Sequence, residues 1–319
     1  MELSIIIVNW NSSGYLRACL ASLFAATLPP GTEVIVVDNA SDDGCGKLIE
    51  GEFPAVRFIQ SAENLGFGRA NNLGFQHSSG RALLFLNPDT EIDGPAVRVL
   101  LDALQRLPRA GAVGCRLVNG DRSLQTSCIQ SFPTILNQVL DSELLRRRFS
   151  RSSLWGIDSL FRAGSEPAEV EAIEGACIMM RREVFQGIGM FSPGYFMYTE
   201  DIDLCYKARK QGWDNYYIPE ATIVHFGDGS VRNARTNFAV VMGVESLWRF
   251  FGTHRGAVYA GLYRAALFCA ATGRLALLAA AGAWRRASPS AAARRGAAAK
   301  WIAILRWTVG LENWSTTFR

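Results

Sequence analysis

Acid is nearly missing from the C-terminal part of this 319-residue chain. Residues 246–319 hold one acidic residue, Glu312, against eleven Lys or Arg, a net +10, whereas residues 1–245 hold 28 acids against 22 Lys or Arg, a net −6. Together these make the overall +4. A basic tail on an acidic body calls for an anionic partner, and because the tail is also apolar the partner expected is a membrane surface, not nucleic acid. No CxxC pair occurs. Seven scattered cysteines (19, 45, 115, 128, 177, 205 and 269) lack metal-ligand spacing and read as reduced thiols, not a disulfide framework. The 30 glycines follow no G-X-Y period, which excludes collagen, and 49% hydrophobic against 19% charged residues exclude a disordered chain. A signal peptide is not expected either: the apolar run Ser4–Val8 is too short, Glu2 precedes it and Asn9 ends it, so the chain is expected to start in the cytosol.

What is present is a strand–helix alternation. Residues 3–8 form a β-branched run suited to a strand buried on both faces. Leu16, Cys19, Leu20 and Leu23 follow at helical spacing, and Glu33–Val37, Val56–Ile59, Ala82–Leu86 and Gly111–Leu117 read as further strands. Val97–Leu107 and Glu200–Gln211 read as helices, Ala172–Met180 as a strand interrupted by Gly175, and Ala221–Val224 as a strand leading to His225. The pattern predicts an α/β fold, a mostly parallel sheet with helices on its faces, over residues 1–240. Residues 119–170 carry no motif, and with Arg146–Arg148 and Arg151 in a polar stretch they are expected to form an exposed, variable lobe or loop. Ligands of such sheets bind beyond the carboxyl ends of the strands, where Asn9, Asp38 and Asp89 all fall.

Each polar cluster alone admits two readings. Asp38 could accept a hydrogen bond from a nucleobase N–H, or simply begin a turn with Asn39, Ser41 and Gly44. The stretch Asn64-Leu-Gly66-Phe-Gly68-Arg69-Ala-Asn71 lacks the third glycine of a dinucleotide fingerprint and follows the third strand. It is a glycine-rich helix entry that could also cradle phosphate, with Arg69 as countercharge. Asn87-Pro88-Asp89 could supply a carboxylate to Mg²⁺ or Mn²⁺, or be a proline turn. Glu200, Asp201 and Asp203 suit the positive end of a helix, yet the flanking Phe196, Met197 and Tyr198 make an apolar setting that can raise a carboxylate toward general-base use. His225 is a candidate imidazole ligand for a metal held by Asp89.

The order of these motifs is more specific than any one of them. Together with Asn9-Trp-Asn11 and Glu174-Gly175, they resemble family 2 glycosyltransferases over about residues 3–230, and within that family the bacterial rhamnosyltransferase branch. The resemblance implies a GT-A, Rossmann-like fold and an inverting, metal-dependent transfer from a nucleotide-diphospho-sugar. Asp38 would bind the base, Asp89 and His225 the Mg²⁺ or Mn²⁺, and Asp201 would be the base with Glu200 beside it. Asn9, Asn11, Asn64, Gly66, Arg69, Asn71, Asn87 and Gly175 would line the donor. Many members carry Asp-x-Asp where this chain has Asn87-Pro88-Asp89, a form the rhamnosyltransferase branch shares. The expected reaction moves L-rhamnose from dTDP-rhamnose onto a glycan or polyprenyl-linked acceptor at the cytoplasmic face of the membrane. The rivals are another donor such as UDP-GlcNAc or a UDP-hexose, a nucleotidyltransferase, and a non-catalytic nucleotide-sugar or glycan-binding subunit.

Residues 241–319 are expected to form a helical, membrane-associating tail. Residues 265–284 are broken only by Arg274. A central Arg costs about 2.5–3.5 kcal/mol on the insertion scale, and five Leu or Phe return at most about 3 kcal/mol, so spanning is break-even. Arg264, Arg274 and Arg285 share a helical face with Leu267, Phe268, Leu275 and Leu278. The expectation is an in-plane helix whose arginines snorkel to headgroups.

Overall fold

A computed structural model of the chain describes residues 1–140, 164–227, 237–284 and 291–313. In chain order it contains β1 (Leu3–Asn9), α1 (Ser13–Ala25), β2 (Thr32–Asp38), α2 (Cys45–Glu52), β3 (Arg57–Gln60), α3 (Phe67–Gln76), β4 (Ala82–Leu86), β5 (Thr90–Ile92), α4 (Ala96–Arg106), β6 (Ala110–Val118), β7 (Ile129–Gln130), α5 (Ile135–Val139), β8 (Ala168–Val170), β9 (Ala172–Ile173), β10 (Cys177–Arg181), α6 (Arg182–Gly187), α7 (Glu200–Lys210), β11 (Asp214–His225), α8 (Phe238–Arg255), α9 (Ala257–Trp284) and α10 (Ala291–Thr308). The basic cluster Arg146–Arg148 and Arg151 lies outside the described residues. The chain forms two compact units. One comprises Met1–Phe132, Arg146–Phe196 and Glu200–Arg232, the other Pro133–Leu145, Met197–Thr199 and Asn233–Arg319. Where the sequence divides at residue 240, the second unit also takes in two short pieces from earlier in the chain.

The first unit is built on one mixed sheet of order β3-β2-β1-β4-β10-β6-β11-β5, with β8 also pairing with β11. Strands β3, β2, β1, β4, β6 and β11 run the same way, and β10 is reversed between β4 and β6. Every residue of β1 is buried, as its β-branched run requires of a central strand. The register fixes which residues meet at the edge. Asn9 pairs with Asp38 and Asp38 with Gln60, while Leu86 pairs with Ile7. Because β10 is antiparallel, its beginning, Cys177, pairs with Leu86, so Gly175 reaches the same edge as the ends of β1, β2 and β4. His225 at the end of β11 pairs with Thr90.

Helix α3 packs on β1 and β2. It comes close because Gly74 faces the sheet: a Cβ there would lie 2.5 Å from Ile6 Cγ2 and 3.2 Å from Val37 Cγ2. Val8, Ile35, Val37 and Ala70 form the core of this contact.

In the second unit, α9 packs against α8 and α10 through Ala260, Tyr263, Leu267 and Ala271, spaced by three and four residues. Here the structure corrects the expected placement of charge. Arg264 donates to the carbonyls of Thr308 and Trp307, where it caps the end of α10, and its guanidinium lies 5.2 Å from the Trp307 ring. Arg274 donates to the Val139 carbonyl and stacks 4.2 Å over Trp301. Both arginines brace helices from the packed side and do not reach outward to headgroups. Arg285 lies outside the described residues. The side of α9 left exposed carries Val258, Leu262, Phe268, Cys269, Thr272 and Leu277, and no charged residue between 257 and 280.

Substituting Gly74 with Val is expected to destabilise the protein by about 1–3 kcal/mol in urea unfolding, because the branched side chain has no room above Ile6. Unchanged stability would mean that α3 is free to shift on the sheet.

Candidate active site at the sheet edge

The loops after β1 and β2 are stitched together. Asn9 is fully buried, and its amide donates to Asp38 Oδ1 at 2.9 Å, Ser41 Oγ at 3.2 Å and Asp43 Oδ2 at 3.3 Å, while its carbonyl oxygen accepts from Ser12 Oγ. Asn11 adopts φ 49°, a conformation Asn tolerates, and its side chain accepts from the Asp42 N–H as its own N–H donates to Ser41 Oγ. Asp38 also accepts from Gln60 Nε2 at 2.7 Å and from the Ser41 N–H. Burial pushes the Asp38 pKa up, but the donors on Ser41, Asn9 and Gln60 outweigh it and hold the carboxylate below its ordinary range.

Asn39, expected only as a turn residue, is the next stitch: its amide donates to Asn64 Oδ1 at 2.8 Å and its carbonyl oxygen accepts from the Leu65 N–H. Asn64 also accepts from the Gly66 N–H. Gly66 has φ 75°, and a Cβ on it would sit 2.2 Å from the Phe196 carbonyl oxygen, so this position requires glycine. Asn71 is buried and turns its amide back to the Phe67 carbonyl. Asn64, Gly66 and Asn71 thus shape the entry of α3. Arg69 Nε is spent on the Leu65 carbonyl.

Across the edge, Asp89 Oδ1 lies 3.4 Å from His225 Nε2, both side chains nearly buried. His225 Nδ1 meets Gln125 Oε1 at 2.9 Å. Gln125 Nε2 donates to the His225 carbonyl and to Asn119 Oδ1, so Oε1 is the acceptor and Nδ1 carries the proton. The neutral imidazole then offers the Nε2 lone pair beside a carboxylate, a donor set suited to a divalent cation. Burial alone would lower the His225 pKa; Asp89, and beyond it Glu174, reverse this and raise it. Asn87 holds the turn through its backbone, with its N–H on the Ala176 carbonyl and its carbonyl accepting from Thr90 Oγ1.

A second group, Asp38, Asp43 and Cys45, brings ligand atoms within 4.8 Å of one another. Its carboxylate oxygens already accept protein hydrogen bonds, including those from the Ser13 and Cys45 N–H groups. Burial, with Asp38 and Asp43 beside it, pushes the Cys45 thiol up to about 12. With no cation bound the thiol stays protonated, and the cluster is a hydrogen-bonded scaffold that joins the two loops.

Helix α7 opens with Glu200 and Asp201. Asp201 Oδ2 accepts from the Gly175 N–H at 2.8 Å and Oδ1 from the Ile202 N–H at 2.8 Å. Its pKa is pushed up to about 6, by burial first and by the charge of Glu174, against the pull of the two N–H groups. Glu200 is buried beside it. Asp203 lies in the first turn of α7, as expected, and it also accepts from Ser192 Oγ at 2.6 Å and Tyr195 OH at 3.3 Å and pairs with Lys207 Nζ at 3.2 Å. Glu174, held by Ser127 Oγ at 2.8 Å, raises the pKa of both Asp201 and His225 and so lies within electrostatic reach of each.

The sequence profile of glycosyl transferase family 2 matches residues 4–189. The chain belongs to this family. An N-acetylglucosaminyl-diphospho-decaprenol L-rhamnosyltransferase of Mycobacterium tuberculosis is 31% identical over 236 residues, covering 70% of this chain and 75% of that one. Rhamnosyltransferase WbbL of Escherichia coli is 25% identical, covering 70% and 82%. Among solved structures, a mannosyltransferase from Pyrobaculum calidifontis in complex with GDP-Man and Mn²⁺ superposes with TM-score 0.59 at 18% identity, over 98% of this chain and 88% of that one. GalNAc-T7 with UDP, GalNAc and Mn²⁺ gives 0.55 at 17%, over 70% of this chain and 44% of that one. This family 2 chain is a glycosyltransferase with the GT-A fold.

Asp201 is expected to titrate near pH 6 when its carboxyl ¹³C shift is followed. Glu174→Gln removes the neighbouring negative charge and should lower that midpoint. A midpoint unmoved by the substitution would mean that burial alone sets it.

Proposed function

We propose that the protein is an inverting transferase that moves L-rhamnose from dTDP-rhamnose onto a polyprenyl-linked glycan acceptor. The carrying observation is Asp201, a carboxylate fixed by two backbone N–H groups and with its pKa raised by burial to about 6. The rhamnosyltransferase activities of the mycobacterial and Escherichia coli relatives support the sugar, and the decaprenol-linked substrate of the first supports the acceptor.

In this reading Asp201 takes the proton of the acceptor hydroxyl as its oxygen attacks the anomeric carbon. The bond from that carbon to the diphosphate oxygen breaks in the same displacement, its electron pair leaves with the nucleoside diphosphate, and the anomeric centre inverts. Asp89 and His225 would hold Mg²⁺ or Mn²⁺, which when bound supplies positive charge against the diphosphate. Asp38, kept ionised by its donors, would accept the base N–H. Arg69 keeps its terminal guanidinium nitrogens for the phosphates.

The acceptor also gives the tail a use. Helix α9 offers 24 residues, Ala257–Ala280, with mean hydropathy 1.3 and 17% of the window buried. At 1.5 Å per residue this is a face about 36 Å long. Val258 is 80% exposed and Leu277 71%. With its arginines turned inward, this face would lie in the acyl–headgroup boundary as a peripheral anchor on the cytoplasmic leaflet, while exposed Arg255, Arg295 and Lys300 suit anionic lipid.

Purified protein offered a panel of nucleotide sugars is expected to hydrolyse dTDP-rhamnose fastest. Asp201→Asn should lower kcat about 10²–10⁴-fold with donor affinity near wild type. Preference for a UDP-sugar would replace the donor, and undiminished turnover would remove Asp201 as the base.

Flotation with anionic liposomes should persist at 1 M salt, because apolar insertion is not screened, and Leu262→Glu with Leu277→Glu should abolish it. Release by salt would leave headgroup attraction alone, and no flotation at either salt would refute the anchor.

A further inference from the structure

Immediately before the Glu200–Asp201 pair, the backbone does something costly. Tyr198 has φ 69° and Thr199 φ 70°, two successive non-glycine residues in the left-handed region, the second of them β-branched. Such a conformation persists only where the surroundings over-determine it. On the upstream side, the Phe196 carbonyl is held by the Phe67 N–H at 3.0 Å, in the space that Gly66 leaves. Met190 and Ser192 are tied by Lys207, and Ser192 and Tyr195 by Asp203. Downstream, Asp201 is clamped by the Gly175 N–H. Between these anchors, Met197–Thr199 cluster with the C-terminal helices and not with the residues on either side of them. The tie is Ser246 of α8, 2% exposed, whose hydroxyl donates to the Met197 carbonyl at 2.9 Å.

We propose that Ser246 is a positioning residue for transfer: through the Met197 carbonyl it holds the left-handed Tyr198–Thr199 step, and that step sets the direction in which Asp201 enters the site. The tail helices are then a working part of the enzyme as well as its anchor. The inference rests on Asp201 as the base.

The test uses the full chain and turnover of whichever donor the panel identifies. Ser246→Ala should lower kcat about tenfold, with donor KM and thermal midpoint near wild type, as expected for one lost buried hydrogen bond that guides a reactive group. Ser246→Cys, a similar shape with a weaker donor, should lose less. Adding Thr199→Gly to Ser246→Ala should recover part of the loss, since glycine adopts φ near +70° without strain. In an Asp201→Asn background, Ser246→Ala should have no further effect on kcat. Unchanged kcat in Ser246→Ala, no recovery by glycine, or an equal loss in the Asp201→Asn background would each overturn the proposal. Failure of the base reading is distinguished separately, by an Asp201→Asn enzyme that turns over normally.

Discussion

Carboxylates crowded at one edge of a sheet must each be relieved of burial and mutual repulsion, and the rest of the active unit is arranged around that constraint. Asp38, Asp89, Glu174 and Asp201 come together because parallel strands end at one level and the reversed β10 begins there. Each has a different remedy. Asp38 receives amide and backbone donors, Glu174 a serine, and Asp201 two backbone N–H groups, while Asp89 faces His225, whose ring relieves it once Nε2 is protonated. Leaving buried Asp38 or Asp89 charged without a partner would cost several kcal/mol. The loops between strands are therefore rich in Asn, Ser and Gly for a reason beyond turn-making: they carry the donors.

The second unit obeys a related rule with the sign reversed. A net +10 spread over residues 246–319 looks like a surface built for anionic headgroups. Yet the two arginines within the apolar stretch of α9 spend their donors on helix-end carbonyls and lie over tryptophan rings. An arginine on an apolar helix can satisfy its five donors from water, lipid phosphate or protein carbonyls, and here protein supplies them. The outward face is left neutral, so apolar surface and net positive charge are separated onto different parts of the tail.

Much of the sheet was legible because buried strands announce themselves: Ala82–Leu86 was read to the residue, and the expected Gly111–Leu117 is Ala110–Val118. The short β5 and the first half of β11 were missed. Thr90–Ile92 follows a proline turn, and Asp214–Glu220 mixes polar and aromatic residues without a clear period. Asp38, Asp89 and His225 stand out by their places after strands, and Glu200 and Asp201 by theirs at the start of a helix. Gln125 was not, since it meets His225 across 100 positions of sequence from a stretch without pattern. The face of α9 was misassigned for a different reason. A helical wheel shows that arginines and leucines share a side, but which side is covered depends on Trp301, Trp307 and Val139, none of them local.

The two aspartates that matter most show why residue type alone could not settle their roles. Asp38 and Asp201 both stand at the sheet edge, both are largely enclosed, and both accept backbone hydrogen bonds. Asp38 is surrounded by side-chain donors and is driven below its ordinary pKa, so it is a fixed negative charge at any working pH. Asp201 has two donors, deeper desolvation and a negative neighbour in Glu174, and it is driven up to about 6. A fixed charge suits recognition, because it must not release its partner when pH drifts. A group near neutrality suits proton transfer, because it gives up and takes a proton at comparable cost. When two like groups in one site are pushed apart in this way, their environments suit them to different work, and in the function proposed above the carboxylate at the end of β2 recognises and the one at the start of α7 reacts.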